Sequence, residues 1–549
     1  MASELPTGAL PASAGERSAP DPSPSGEIQG AFGTIKGHED AHRSLRSRAM
    51  ALLAIIGPGL IVMVGDNDAG GVSTYTQAGQ NYGTSLLWVL LLLVPVLIVN
   101  QEMVVRLGAV TGIGHARLII ERFGRGWGWF ESGYLFLMNF LIIVTEFIGV
   151  RLALGYLGVS EYISVPVAAL ALIGVTVTGS FRSWERSMFV FVFANVLLIP
   201  LFFMARPHAG PIAHGFFVPG IQGGANSTSV LLIIAIIGTT IAPWQLFFQQ
   251  SNIIDKRITP RWINYERIDT WFGAAVVVLG AAALICVTAF AFEHTSYFGQ
   301  FSNAGATATG LDHTIGSAAA VFFAIVLLNA SLIGAGAVTL ATSYVLGDVF
   351  GSRGSLHRKF SEEKGFYSMF AALIVVAAGI VLIPGAPLGV ITESVQALCG
   401  ILLPMTTLFL LMLCNDPEVL GPWVNPPWLK AFASVVVGVL IVLSGILTIT
   451  TIFPSVNVTT LALVGGGVLV AVLVPTGLFA LRSRRGASAV TVVGPERGVP
   501  REQWTMPPAT LLSRPVWSTP RRAAMLVLGA YMVVALVMLV VKSVQLAGG

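Results

Sequence analysis

Charge is scarce in this sequence. Of 549 residues only 11% are Asp, Glu, Lys or Arg, against 54% hydrophobic, where an average soluble protein carries about 25% charged residues. With a mean hydropathy of +0.79 the chain has too few polar groups to cover a soluble surface. That excludes the roughly three or four soluble domains its length alone would suggest. Cysteine is scarce as well. Cys286, Cys399 and Cys414 stand singly in apolar stretches, which excludes a disulfide framework and zinc-ligand spacing. The amino-terminal region lacks the short apolar run of a secretory signal. A net charge of only +4, spread over many short segments, excludes nucleic acid as an expected partner. What remains is a polytopic membrane protein whose solvent is the lipid bilayer.

Residues 1–48 are rich in Pro, Ser, Gly and Ala and end in Arg43, Arg46 and Arg48, and they are expected to form a disordered cytoplasmic tail. From residue 50, apolar runs near the roughly 20 residues that cross a bilayer follow one another. Thirteen spans are predicted: 50–78, 84–105, 128–157, 163–179, 187–205, 229–250, 271–292, 315–346, 366–384, 388–413, 430–452, 459–481 and 523–541. Lys and Arg collect in the loops after spans 2, 4, 6, 8 and 12. All but Arg151, Arg206 and Lys542 of the 31 basic residues fall on one side. The positive-inside rule then predicts the amino terminus in the cytoplasm, the carboxyl terminus outside, and an inner (plasma) membrane location.

Polar residues inside the spans mark the places to look, because an ionisable side chain at mid-bilayer costs about 2.5–3.5 kcal/mol. Span 1 holds Gly57-Pro58-Gly59 and then Gly65-Asp66-Asn67-Asp68-Ala69-Gly70-Gly71. A helix broken among these glycines frees backbone carbonyls, which are tolerated only where they line a protein cavity. Two carboxylates with loose carbonyls make a hard-oxygen cation site. The alternative is that one Asp caps a half-helix while the other faces a water-filled vestibule. Span 6 holds Gly238-Thr239-Thr240-Ile241-Ala242-Pro243-Trp244-Gln245. Pro243 breaks or kinks the helix, and carbonyls near Thr239 and Ala242 would complete the site; a bland proline kink fits the residues equally well. If spans 1–5 and 6–10 are two five-span repeats, the second enters the membrane from the opposite side. Interrupted helices at matching places in two inverted halves point to a transporter binding site. Glu146 in span 3 is a further pathway candidate. Glu102 is read as the i+4 partner of Arg106.

These residues resemble the NRAMP divalent-metal transporters. The resemblance runs through Gly57-Pro58-Gly59 to Gln77-Ala78-Gly79, Arg106-Leu107-Gly108-Ala109-Val110-Thr111-Gly112 with Glu121-Arg122-Phe123, Glu146-Phe147-Ile148-Gly149, and Leu403-Pro404, covering roughly 50–415. It implies an all-α, multi-pass LeuT-type fold of two inverted five-helix repeats (49–206 and 228–415 within a core of 49–415). Accessory helices would fill 416–549, and alternating access would work around a metal held between helices 1 and 6. Two departures stand out. The family's Asp-Pro-Gly-Asn becomes Asp68-Ala69-Gly70-Gly71, and its Met-Pro-His becomes Ala242-Pro243-Trp244. Losing a soft thioether removes a preference for transition metals, and a wider all-oxygen site suits a partly hydrated Mg²⁺. The chain is therefore similar to the NRAMP-related magnesium branch. The family also has an Asp where Ile143 stands here, so proton coupling is expected to be absent.

The expected function is import of divalent cations, Mg²⁺ with Mn²⁺ also accepted, without enzyme activity, resident cofactor or obligate protein partner. Asp68 is the expected principal ligand, with Asp66, Asn67 and carbonyls near Gly65, Thr239 and Ala242. Gly71, Gln245, Trp244, Glu146 and Gln396 would line the pathway or hold water, and Gly70 and Pro243 mark the helix breaks. The alternative is a proton-coupled Mn²⁺/Fe²⁺ transporter of the parent family. His38-Glu39-Asp40-Ala41-His42 fits the H-E-x-x-H pattern, with a membrane-anchored metalloprotease as the remote alternative. That chemistry needs a helix, a third ligand and a closed apolar site, and a polar tail supplies none of them. Asn226-Ser227-Thr228 fits a glycosylation sequon, a weak three-residue pattern.

Overall fold

The computed structural model describes residues 27–35, 45–352, 354–453, 456–484, 500–513, 522–523, 525–534 and 536–537. The H-E-x-x-H pentapeptide at 38–42 lies outside the described residues. So do residues 1–26 and the end of the thirteenth predicted span.

A two-stranded hairpin, β1 (Ile28–Gly30) and β2 (Gly33–Ile35), precedes the helices, with Ile28 opposite Ile35. The first repeat comprises α1 (Leu45–Ile55), α2 (Pro58–Val64), α3 (Ala69–Tyr82), α4 (Leu87–Thr111), α5 (His115–Phe123), α6 (Arg125–Tyr156), α7 (Glu161–Val177), α8 (Phe181–Ala194) and α9 (Leu198–Met204). After the short α10 (Ala209–Phe217), the second repeat comprises α11 (Ser227–Thr240), α12 (Pro243–Asp255), α13 (Ile263–Phe292), α14 (Ala304–Ile315), α15 (Ser317–Phe350), α16 (Lys364–Val381) and α17 (Leu388–Cys414). The turn α18 (Pro417–Leu420) leads to α19 (Pro427–Ile452) and α20 (Val458–Arg484).

The long spanning helices such as α4, α13 and α15 are apolar over most of their length, so burial there is decided by neighbours rather than by an amphipathic stripe. Leu279 and Leu170 are about 70% exposed, as befits side chains that meet lipid. The third and eighth spans, α6 and α15, pack along each other at the centre. Gly149 of α6 comes so close to α3 and α15 that an added Cβ would lie 2.2 Å from Ser331 Oγ and 2.5 Å from Ala69 Cβ.

Two expectations change. Among the described residues ten helices are long and apolar enough to span, eleven if the bent pair α1–α2 is one span, against the thirteen predicted. The fourth predicted span is α7, whose 17 residues reach about 25 Å at 1.5 Å per residue, short of the roughly 30 Å hydrocarbon core. In the thirteenth, the described helix is Met525–Val534. The tail 1–48 is not uniformly disordered: Ile28, Ala31 and Ile35 are buried, because α1 and α8 offer an apolar surface that tail composition cannot reveal. Residues 500–513 run across the end of α4, with Met506 N donating to Val110 O (3.1 Å) and Trp423 Nε1 to Arg501 O (2.8 Å). There the Ser513 hydroxyl and amide donate to Glu418, holding that carboxyl below its usual range.

The expected Glu102–Arg106 pair forms at 2.8 Å. Asn226 caps α11, its Oδ1 accepting from Ser229 N at 2.8 Å, which is a structural use of the sequon residue.

Candidate functional site

The first span breaks twice. At Ile56–Gly57 the chain bends by 49° between α1 and α2. Gly57 has φ +150°, a conformation side chains rarely adopt. The second break, Gly65 to Asp68, separates α2 from α3 and carries the acidic residues. A continuous helix would send the amides of Ala69 and Gly71 to the carbonyls of Gly65 and Asn67. Here Ala69 N donates to Glu146 Oε2 (3.0 Å) and Gly71 N to Asp68 Oδ1 (2.7 Å). The carbonyls of Gly65 and Asn67 thus lose their usual helical donors.

The sixth span breaks at Ile241–Ala242. Ala242 is extended (φ −77°, ψ 142°) and Pro243 begins α12. Proline has no N–H, so the carbonyl of Thr239 has no i+4 donor. The two breaks face one another. A Cβ placed on Gly71 would lie 2.7 Å from Asp66 O and 2.9 Å from Thr239 Oγ1, and one on Gly65 would lie 3.3 Å from Trp244 Cη2. α17 closes a third side. A Cβ on Gly70 would meet Gln396 Nε2 at 1.6 Å, and one on Gly238 would meet Gln396 O at 2.3 Å. On the fourth side a Cβ on Gly334 of α15 would lie 2.5 Å from Glu146 Oε2 and 2.9 Å from Asp68 Cβ. Small residues at 65, 70, 71, 238 and 334 are what let these groups converge.

The two acids divide the roles that the sequence left open. Asp68 is the N-cap of α3. Asp66 is fully buried with neither carboxylate oxygen hydrogen-bonded. Thr239 Oγ1, Trp244 Nε1, Gln396 Nε2 and Glu146 Oε1 are also buried without partners. Buried polar groups are normally paired, so a cluster of unpaired ones around two helix breaks marks a place built for a polar guest. Two expected contributors also bind neighbouring helices. Asn67 Nδ2 donates to Val277 O of α13 (3.2 Å) while its Oδ1 is buried without a partner. Gln245 accepts from Gln101 Nε2 of α4 (2.9 Å) and reaches Thr240 O (3.5 Å), so it is a tether rather than a free water holder. Among the described residues no three His, Cys, Asp or Glu side chains form a ready metal cage. A cation here would rest on carbonyl and amide oxygens as well as carboxylate.

A small cleft abuts the site at Ala69, lined also by Ser73, Thr145, Asn303 and Thr392. On the opposite side the way out is packed shut, since Gln249, Asn252, Lys256, Glu266 and Asp269 are all at most 9% exposed. Sequence reasoning missed this closing cluster. Lys256 Nζ donates to Ile55 O (2.8 Å), Ile56 O (3.0 Å) and Glu185 Oε1 (2.6 Å). Asp269 accepts the amides of Gly57 (3.0 Å), Gly59 (2.7 Å) and Leu60 (3.2 Å), capping α2 from another helix. A signal was available: Glu266 and Asp269 are three apart, one face of a helix, and the Gly57-Pro58-Gly59 turn exposes amides that need an acceptor. Gln101 carried no signal beyond its place beside Glu102.

Comparison with known proteins adds to this geometry. The family profile described as natural resistance-associated macrophage protein-like matches residues 59–450. The divalent metal cation transporter MntH of Erwinia tasmaniensis is 26% identical over 418 residues, covering 74% of this chain and 97% of that protein. MntH of Deinococcus radiodurans is 27% identical over 422 residues, covering 72% and 89%. A crystal structure of a mutant Eremococcus coleocola manganese transporter superposes with a TM-score of 0.61 at 19% identity, covering 83% of this chain and 98% of that one.

Proposed function

The chain belongs to the natural resistance-associated macrophage protein (NRAMP) family, and from that premise we propose that it imports hard divalent cations, Mg²⁺ with Mn²⁺, through the breaks of its first and sixth spans. It is a divalent metal cation transporter with the inverted-repeat fold of that family, not an enzyme. The observation that carries the ligand assignment is Asp66, a buried carboxylate with two unpartnered oxygens between two helix breaks. Asp68 supplies the neighbouring charge while holding α3 in place. Carbonyls at Gly65 and Thr239 supply neutral oxygens. Asn67 holds α13 through Nδ2 and keeps Oδ1 unpartnered as a further neutral oxygen, Gln245 holds α4, and Gln396 and Trp244 present unpartnered N–H groups.

Selectivity follows from what stands at Ala242. Its methyl offers no soft electron pair, so nothing at that position favours transition metals over Mg²⁺, and the vacant volume suits an ion that keeps some of its water. Ala242→Met should shift the Mg²⁺/Mn²⁺ preference toward Mn²⁺ by about tenfold, roughly 1.4 kcal/mol. Competition uptake measures it; an unchanged ratio would remove Ala242 from the ion's surroundings.

The amino terminus and Lys256 are assigned to the cytoplasm by the distribution of Lys and Arg. In that orientation the Asn303 cleft lies on the outer side and the buried closing cluster on the inner side, so the inner face is closed. Transport is driven by the membrane potential, about 4.6 kcal/mol for a divalent cation at 100 mV. The competing proton-coupled Mn²⁺/Fe²⁺ reading draws on Glu146, which stands beside Asp68 and is buried with one free oxygen. Proteoliposomes under a K⁺-set inside-negative potential separate the two. Mg²⁺ influx with no signal from an internal pH dye supports the uncoupled reading. Mn²⁺ influx with acidification and no Mg²⁺ influx supports the parent-family reading.

A further inference from the structure

The hairpin β1–β2 sits between α1 and α8, the two elements that Lys256 ties together on the closed face. Its backbone is held from both sides. Ala31 N donates to Glu185 Oε2 (2.5 Å), and Arg186 Nε donates to Ala31 O (3.0 Å). Arg182 donates from Nε to Gly30 O (3.1 Å) and from Nη2 to Gly33 O (3.3 Å) and the Thr34 hydroxyl. The Phe32 ring packs on Phe189 of α8 at 4.6 Å between centroids. On the other side the strands lie against α1 without clearance. A Cβ added to Gly30 would lie 2.0 Å from Ala54 O, and one added to Gly33 would lie 3.3 Å from Ala54 Cβ.

Glu185 joins this hairpin to the closing cluster. One of its oxygens accepts the Ala31 amide and the other accepts Lys256 Nζ, which also binds the last carbonyls of α1. Hairpin, α8, α12 and α1 are thereby linked through a single buried carboxylate, next to the hinge at Gly57. We propose that residues 27–35 are a latch that holds the first half of span 1 against span 5 and sets how readily the Lys256 face opens. Its effect on flux rests on the transporter reading above; its effect on α1 does not. Moving α1 away from α8 strips the hairpin of its packing on Ala54 and forces Lys256 to give up either the Ile55 and Ile56 carbonyls or Glu185. A latched closed state lowers the population of the open one by the free energy of those contacts.

The test uses the full-length protein in lipid nanodiscs, native and with Gly30→Val, Arg186→Gln or Phe32→Ala. Gly30→Val drives a side chain into Ala54 O, whereas the other two remove one surface contact each and serve if the first disturbs folding. Hydrogen–deuterium exchange is read over 27–35, 45–64 and, as reference, 69–82. The latch predicts faster exchange in 27–35 and, with it, about fivefold faster exchange in 45–64, leaving 69–82 unchanged. Release of 27–35 with no change in 45–64 overturns the proposal, and so does failure of Gly30→Val to release the hairpin at all. Mg²⁺ and Mn²⁺ uptake into proteoliposomes is measured in parallel, and release should raise it about twofold or more. Absence of uptake in every protein, native included, with 45–64 still accelerated by release, would sink the transporter reading and leave the latch standing.

Discussion

Asp66→Asn should abolish divalent-cation uptake while leaving the metal-free protein at least as stable as the native one. Both oxygens of Asp66 are buried and unbonded, so the substitution breaks no hydrogen bond in the fold. It removes a charge held away from water without compensation, an arrangement that disfavours the folded state unless a cation is present. The same charge is what a divalent ion would bind. Uptake should fall at least about 100-fold, roughly 2.8 kcal/mol at 1.4 per decade. Asp68→Ala provides the contrast. It should also stop transport, but it deletes the cap on Gly71 N and so should lower stability by about 1 kcal/mol. Uptake assays and thermal melts on the two proteins separate ligand from cap. Near-native uptake by Asp66→Asn would leave Asp68 as the anchor and make Asp66 a bystander.

Lys256→Met should be the most destabilising single change in the closing cluster. The ammonium is 1% exposed and answers to Glu185, to two carbonyls of α1 and, through space, to Glu266 and Asp269. Removing one partner from a buried ion pair typically costs about 3–5 kcal/mol, because the other charge is left stranded. Replacing both partners with neutral groups costs much less, so Glu185→Gln in the same chain should restore a good part of the loss. A thermal-unfolding double-mutant cycle reads the coupling. Additive losses would mean that the pair is not the unit that closes this face. If it is, Lys256→Met should also raise exchange in 45–64, in the same sense as release of the hairpin.

The membrane character and the two helix breaks were legible because each rests on composition or on a local backbone rule. A proline without an N–H at 243 and glycines at 65, 70 and 71 act wherever they stand in an apolar helix. Span counting was less secure at α7, where apolar length falls short of a full crossing. The acids were found as a pair, but which would cap and which would stay free was not legible. That depended on Glu146, brought to Ala69 N from 77 residues away.

By itself the sequence determined that this chain lives in a bilayer, that its first and sixth spans are interrupted, and that carboxylates stand at the first interruption. Those properties depend on how each segment meets solvent or lipid and on its own backbone geometry. Only the tertiary structure decided that Asp66 keeps free oxygens, that Asn67 turns to Val277 and that Gln245 is tethered by Gln101. Only it assembled Lys256, Glu185 and Asp269 with the hairpin into the closed face. In each case the partner lies far along the chain, and a hydrogen bond between distant residues leaves no periodicity in either segment from which it could be read.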